Sequence, residues 1–219
     1  MNRQILASLL ACLLASSLHA AAAVGRWESA ITGFEAAAAT APAKGIVFYG
    51  SSTITLWSTL AEDFAGLPVI NRGFGGSGTA DALRYAARAV IPLQPKWVVI
   101  YSGGNDIGKI EPAEIAGNVG KLIAELKAGC PDCRILLLSL KLTLKRIKHA
   151  ELTQEVNRRY AALAAGDPRL AFVDLWTPFL AADGSPDPQW LAEDRLHPSR
   201  AAYRRIAELV RPVLTQTPP

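Results

Sequence analysis

The chain has 219 residues, of which half are hydrophobic and 19% are charged. This length is typical of one α/β domain, and the composition excludes an intrinsically disordered protein. The net charge of +4 comes from scattered Lys and Arg residues, with one local cluster at residues 141–148. We interpret these charges as solvated faces, and without a basic stripe and a reading motif we expect no nucleic-acid partner.

The first 23 residues are predicted to be a signal peptide. Arg3 gives a positive start, an apolar run follows, and residues 20–23 are four alanines suited to cleavage. The apolar run is short and interrupted by polar residues, which disfavours a membrane span. A lipoprotein-like box ending at Cys12 is the weaker alternative. We therefore expect an exported protein, periplasmic or secreted, whose mature domain, residues 24–219, needs no membrane insertion.

Strand-like and helix-like segments alternate along the rest of the chain. Short apolar segments bounded by Gly, Pro or polar residues are typical of buried parallel strands. They cover residues 45–49, 68–71, 97–101, 134–140 and 170–175. Helical patterns cover residues 27–39, 57–64, 79–90, 112–127, 151–164 and 199–214. This order predicts a three-layer α/β/α fold around a flavodoxin-like, five-stranded parallel sheet.

Ser52 follows the first predicted strand, in the sequence Gly50-Ser51-Ser52-Thr53. Loops at the carboxyl ends of the strands carry the functional sites of such sheets. A serine at this turn can act as a nucleophile, or it can simply cap the helix that follows.

A histidine with a nearby acid would supply what a serine nucleophile requires. Of the three histidines, His19 falls in the predicted signal peptide and His149 in a basic segment interpreted as solvated. His197 follows Asp194 by three residues, a spacing that lets a compact turn bring the carboxylate to the imidazole. We predict His197 as the base and Asp194 as its orienting acid, with Asp174 as the rival acid.

Two Gly/Asn-rich segments follow the second and third predicted strands, Asn71-Arg-Gly-Phe-Gly-Gly76 and Gly103-Gly-Asn105-Asp106. The backbone N–H of Gly76 and the side-chain amide of Asn105 are candidate oxyanion donors, together with the backbone N–H of Ser52. The alternative interpretation of Asn105 is a helix cap or a turn residue.

The segment from Gly73 to Gly78 also matches G-x-G-x-x-G, the phosphate-binding turn of dinucleotide-binding domains. That turn usually opens its domain, and an acidic residue for the ribose ends the next strand. Here the segment follows the second strand, and the next strand ends in Tyr101-Ser-Gly-Gly. Nucleotide binding is therefore the less favoured interpretation.

Cys130 and Cys133 form the sequence Cys-Pro-Asp-Cys between a predicted helix and a predicted strand. A thioredoxin-like pair would instead open a helix, and no second Cys or His pair is present to complete a zinc site. In an oxidising compartment the two thiols could form a small local disulfide.

The segments that contain Ser52, Gly76, Asn105 and His197 resemble, in the same order along the chain, the four blocks of the SGNH, or GDSL-type, hydrolase family. The resemblance spans nearly the whole chain after the signal peptide. It implies Ser52 as the nucleophile, Gly76 and Asn105 as oxyanion donors, and Asp194 and His197 as acid and base. Block one departs from the usual Gly-Asp-Ser. Its Gly-Ser-Ser form is similar to that of a bacterial subgroup.

The resemblance implies a serine ester hydrolase that transfers an acyl group to water without a metal or organic cofactor. Its expected substrate is a small-molecule, glycan or lipid ester. Small acyl groups are favoured, because no long lid insertion separates the blocks. The alternative is a catalytically silent module on the same fold that binds glycans or envelope components.

Overall fold

The computed structural model describes residues 25–216, so the predicted signal peptide lies outside the described part. Its centre is a parallel sheet of five strands in the order β2-β1-β3-β4-β5. The strands are β1 Ile46–Gly50, β2 Val69–Gly73, β3 Trp97–Tyr101, β4 Arg134–Leu138 and β5 Leu170–Val173. The predicted three-layer fold with a flavodoxin-like strand order is confirmed.

Helices cover both faces of the sheet. In the described residues they are α1 Glu28–Ala36, α2 Ser52–Thr55, α3 Leu60–Asp63, α4 Thr79–Ala89, α5 Pro112–Gly129, α6 Ala150–Ala165 and α7 Arg200–Thr215. Helices α1, α4, α5 and α6 pack successively on one another, whereas α7 packs with α3 and β5. None of the helices between residues 25 and 216 has the length and apolar character needed to cross a membrane.

The predicted helix over residues 57–64 is shorter in the structure. Within that range only α3, Leu60–Asp63, is helical, and Trp57 lies between it and the separate short helix α2. The side-chain amide of Asn71 donates to the carbonyl of Ile54 at 2.7 Å, and the indole N–H of Trp57 donates to Asp63 at 2.7 Å. The first of these side-chain contacts is made to α2 and the second to the last residue of α3.

The central strands β1 and β3 are buried along their whole length, which explains their unbroken apolar sequences. Successive side chains of β1 point to opposite layers. Phe48 packs against Phe64 with ring centroids 4.9 Å apart, and Tyr49 packs against Phe74 at 5.6 Å. Aromatic contacts thus hold both faces of the strand that leads to Ser52.

The end of β1 lies at the switch point of the sheet, because β2 pairs on one side of β1 and β3 on the other. Gly50 has φ +151°, and a Cβ there would lie 2.0 Å from the carbonyl oxygen of Tyr101. Only glycine fits this close approach. The loops after β1 and β3 consequently leave the sheet side by side, the usual position of a site in this architecture.

Candidate active site

Ser52, His197 and Asp194 lie in one chain of hydrogen bonds. Nε2 of His197 is 2.9 Å from Oγ of Ser52, although the two residues are 145 positions apart. On the other side of the ring, Nδ1 contacts Oδ2 of Asp194. The structure therefore brings together the three residues that the sequence singled out.

A tight turn holds Asp194 against His197. Oδ1 of Asp194 accepts the backbone N–H groups of Leu196 and His197, each at 2.9 Å. Arg195, between them, has φ 57°, in the left-handed region. The N–H of His197, then its side chain and the N–H of Leu196, hold the pKa of Asp194 below its ordinary value. An ionised Asp194 can only accept, so Nδ1 carries the proton and Nε2 is free to accept from Ser52.

Ser52 is the first residue of α2, directly beyond the end of β1. Its backbone N–H belongs to the first helical turn, where N–H groups have no acceptor within the helix. The residue at the capping position is Ser51, and its side chain makes no capping bond. The hydroxyl of Ser52 contacts His197 instead, so the interpretation of Ser52 as a simple cap is not supported.

Gly76 lies in the loop after β2, and the preceding residue of this loop, Gly75, is close to Ser52. A Cβ on the neighbouring Gly75 would be 3.9 Å from Cβ of Ser52. The indole N–H of Trp27 donates to the carbonyl of Gly75 at 2.9 Å and holds this loop. Gly76 itself has φ +81°, and within residues 25–216 no backbone acceptor is found for its N–H. That N–H is available to a bound molecule.

Asn105 lies in the loop after β3, and both ends of its amide are held. Nδ2 donates to the carbonyl of Ser77 at 3.0 Å, and Oδ1 accepts from Nη2 of Arg146 at 2.8 Å. These two bonds define which end of the amide is nitrogen. A primary amide carries a second N–H, which stays available as a donor.

The rival acid, Asp174, is used elsewhere. Its carboxylate accepts from the hydroxyl of Ser139 at 3.1 Å and from the backbone N–H of Trp176 at 2.7 Å. These bonds fix the turn after β5. Asp174 therefore makes no contact with His197, and the alternative triad acid is not supported.

The G-x-G-x-x-G segment is filled by protein carboxylates. A Cβ on Gly78 would lie 2.3 Å from Oδ1 of Asp106, and Oδ2 of Asp106 accepts the N–H of Thr79 at 2.7 Å. Asp81 accepts the N–H of Gly78 at 2.8 Å. A dinucleotide would need its pyrophosphate at this start of α4. The carboxylates of Asp106 and Asp81 occupy that position and would repel a pyrophosphate. The glycines of this segment therefore allow close packing of the loop instead.

Two basic residues near the site escaped the sequence interpretation. They are Lys141 and Arg146. The prediction that the cluster at residues 141–148 is a solvated face is wrong for Lys141, whereas Arg146 is half-buried. Lys141 is 6% exposed, and its Nζ donates to the carbonyl of Leu196 at 2.9 Å. Burial lowers the pKa of Lys141 to about 7, the charge of Arg146 adds to this, and that of Asp194 opposes it. The sequence signal that could have identified Lys141 as buried is its position as a lone cation within the apolar segment after β4.

Cys130 and Cys133 are free and buried, so the structure contains the reduced form of the pair. Burial raises the pKa of the Cys130 thiol to about 11. Among residues 25–216 no group of three or more His, Cys, Asp or Glu side chains is arranged to hold a metal ion. This part of the molecule is therefore interpreted as structural.

Known proteins share this sequence and fold. The chain is 29% identical over 177 residues to platelet-activating factor acetylhydrolase IB subunit alpha1 from Pongo abelii, covering 77% of this chain and 74% of that protein. It is 26% identical over 166 residues to thioesterase 1/protease 1/lysophospholipase L1 from Escherichia coli K12, covering 73% and 74%.

A solved structure of a GDSL-like lipase from Bacteroides thetaiotaomicron matches with a TM-score of 0.72 and 23% identity, over 84% of this chain and 96% of that one. Residues 36–205 match the model of the GDSL-like lipase/acylhydrolase family. Since that match covers most of the sequence, the chain belongs to the GDSL-like lipase/acylhydrolase family and is a hydrolase.

Proposed function

We propose that this hydrolase is a serine esterase that cleaves small carboxylic esters with Ser52 as nucleophile, His197 as base and Asp194 as orienting acid. The observation that carries the proposal is the 2.9 Å contact between Nε2 of His197 and Oγ of Ser52. The ionised Asp194 on the far side of the ring supports it, because this tautomer leaves Nε2 able to take the hydroxyl proton.

The reaction would proceed by acyl transfer in two steps. Oγ of Ser52 attacks the ester carbonyl carbon while Nε2 of His197 takes the hydroxyl proton. The N–H groups of Ser52 and Gly76 and the amide of Asn105 stabilise the oxyanion that forms. His197 then protonates the departing alcohol. In the second step His197 deprotonates a water, which releases the acid and restores Ser52.

One observation supports small acyl groups. The side chains of His197 and Asp194 are 22% and 41% exposed, so the reacting residues lie near the surface rather than at the base of a deep tunnel. The names of the relatives, acetylhydrolase, thioesterase and lysophospholipase, all describe removal of an acyl group, which supports acyl transfer but indicates no chain length. The expected location, periplasmic or extracellular, remains part of this proposal.

The test is hydrolysis of p-nitrophenyl acetate, butyrate and octanoate by wild type, Ser52→Ala and His197→Ala. We expect both variants to lose roughly 10³-fold or more in kcat, and we expect the wild type to favour the shorter esters. Ser58→Ala and His149→Ala serve as matched controls, since both residues lie outside the hydrogen-bonded chain.

Three outcomes would contradict parts of the proposal. Activity that survives in Ser52→Ala would remove Ser52 as the nucleophile. A preference for octanoate would contradict small acyl groups. A folded wild type that hydrolyses none of the three esters would favour the alternative, a silent module that binds glycans or envelope components.

A further inference from the structure

The guanidinium of Arg146 lies directly against the oxyanion side of the site. Arg146 belongs to the 3-10 helix Leu144–His149, which follows β4. Its Nη2 donates to Oδ1 of Asn105 at 2.8 Å, and its Nη1 lies 3.1 Å from the position that a Cβ on Gly104 would occupy. The glycine at position 104 therefore gives the guanidinium room beside the loop after β3.

The guanidinium of Arg146 forms no direct ion pair with any described residue, although the charge of Asp106 acts on it at longer range. Burial lowers the pKa of Arg146, although a guanidinium stays protonated in proteins. Partly buried arginines ordinarily pair with carboxylates. Among residues 25–216 no Asp or Glu forms an ion pair with Arg146. The carboxylate that acts on it, Asp106, is hydrogen-bonded to the N–H of Thr79.

The side chain of Arg146 is half-buried and keeps donors that residues 25–216 do not use. In the described part of the chain its only side-chain hydrogen bond is the one to Asn105. None of its nitrogens is among the buried side-chain atoms that lack a partner, so the remaining N–H groups keep contact with solvent. Holding the amide of Asn105 requires a single donor, which a neutral side chain could supply. The positive charge of Arg146 and its other N–H donors are therefore not needed to hold Asn105, and they can bind a ligand.

A second guanidinium lies on the Gly76 side. Nη2 of Arg26 is 2.8 Å from the position that a Cβ on Gly76 would take. Arg26 is exposed and stacks over the ring of Trp27 at 4.9 Å. It forms no direct ion pair with any residue that the structure describes, although its charge acts on Asp81 at longer range. Each of the two loops expected to donate to the oxyanion, at Gly76 and Asn105, therefore has beside it a guanidinium that is in no direct ion pair with the described residues.

We infer that Arg146, assisted by Arg26, binds an anionic group of the substrate, so that the enzyme selects esters that carry a phosphate or a carboxylate near the scissile bond. Guanidinium groups bind both anions through paired, charge-assisted hydrogen bonds. The inference rests on the proposed function, because the ester must lie at Ser52 for the anion to reach Arg146.

The test compares three esters with the same acyl group: 1-butyrylglycerol, its 3-phosphate, and 3-butyrylglycerate. We expect wild type to have a higher kcat/KM for at least one anionic ester than for 1-butyrylglycerol. In Arg146→Met the ratio of anionic to neutral kcat/KM should fall by about tenfold or more. The ratio removes any effect that acts through Asn105, since all three esters use the same oxyanion donors.

Matched variants separate charge from position. Lys148→Met removes a positive charge from an exposed site in the same 3-10 helix and should keep the wild-type ratio. Arg146→Lys should keep part of the wild-type preference for the anionic ester. In wild type the ratio of anionic to neutral kcat/KM should fall with added salt. A preference for the phosphate or for the glycerate ester identifies which anion is used. Equal kcat/KM for all three esters, or an equal loss for all three in Arg146→Met, would overturn the inference.

A binding measurement distinguishes this inference from the proposed function. Calorimetric titration of Ser52→Ala with 1-butyrylglycerol 3-phosphate and with 1-butyrylglycerol needs no turnover. Tighter binding of the phosphate ester, lost in Ser52→Ala/Arg146→Met and kept in Ser52→Ala/Lys148→Met, would support the anion site even if wild type hydrolysed neither ester. Equal binding of the two would reject the anion site while leaving the esterase proposal intact.

Discussion

Nζ of Lys141 donates a hydrogen bond to the backbone carbonyl of Leu196, the residue directly before His197. The amine is almost fully buried and lies 6.0 Å from the ring centroid of Tyr101, at the end of β3. Lys141 thus ties the turn that carries His197 to the edge of the sheet.

The burial of Lys141 predicts a pH-dependent stability. Its pKa of about 7 in the folded protein lies below the value of about 10.4 for an unfolded chain. Between these values the unfolded state binds more protons, so the free energy of unfolding rises with pH. Relative to Lys141→Met, wild type should gain up to about 2–3 kcal/mol between pH 7 and pH 9.

Urea unfolding of wild type and Lys141→Met at both pH values measures this change. Lys148→Met, at an exposed position, is the matched control. A difference between wild type and Lys141→Met that stays constant from pH 7 to pH 9 would show that Lys141 keeps its proton in the folded protein.

Asn105 should contribute to turnover far more than to folding. Asn105→Ala removes one proposed oxyanion donor, and the loss of one such donor typically lowers kcat by roughly 10²–10³-fold. Asn118→Ala is the control, because the amide of Asn118 makes a comparable part-buried bond to Thr79. We expect thermal unfolding of both variants to stay close to wild type. A fall in kcat of less than about threefold would remove Asn105 from the oxyanion hole.

The two candidate acids can be separated by isosteric substitutions. Asp194→Asn keeps an Oδ1 for the N–H groups of Leu196 and His197, so the turn should persist. It removes the charge that orients the imidazole, and kcat should fall by roughly 10³–10⁴-fold. Asp174→Asn makes the same chemical change at the turn after β5 and should leave kcat within about twofold. The reverse ranking would reassign the acid.

Placements that nearby sequence determines could be predicted. The apolar strands identify the sheet, and the polar residues at strand ends put Ser52 and Asn105 at one edge, because parallel strands bring their carboxyl ends together. The spacing between Asp194 and His197 likewise describes a local turn. These features need no knowledge of distant contacts.

Residues whose roles depend on distant contacts could not be predicted. Arg146 contacts Asn105 across 41 positions, and Lys141 contacts Leu196 across 55. In the sequence both resemble ordinary surface cations. Both environments come from tertiary contacts that local sequence does not encode.

Gly50 and Gly117 should respond in opposite directions to substitution by alanine. At Gly50 a Cβ would lie 2.0 Å from the carbonyl oxygen of Tyr101, at φ +151°, so one of the two central strands must move. Gly50→Ala should lower the free energy of unfolding by about 3 kcal/mol or more. Gly117 lies on the exposed side of α5 with no atom within 4 Å of a new Cβ. Gly117→Ala should raise the free energy of unfolding by about 0.5–1 kcal/mol.

Chemical unfolding of both variants at one pH measures the two changes. The loss in Gly50→Ala should be accompanied by lower esterase activity, because the strand that moves carries Ser52 at its end, whereas Gly117→Ala should keep wild-type activity. A Gly50→Ala protein as stable as wild type would mean that β1 and β3 separate at this point without cost, and the close approach that brings the Ser52 and Asn105 loops together would lose its support.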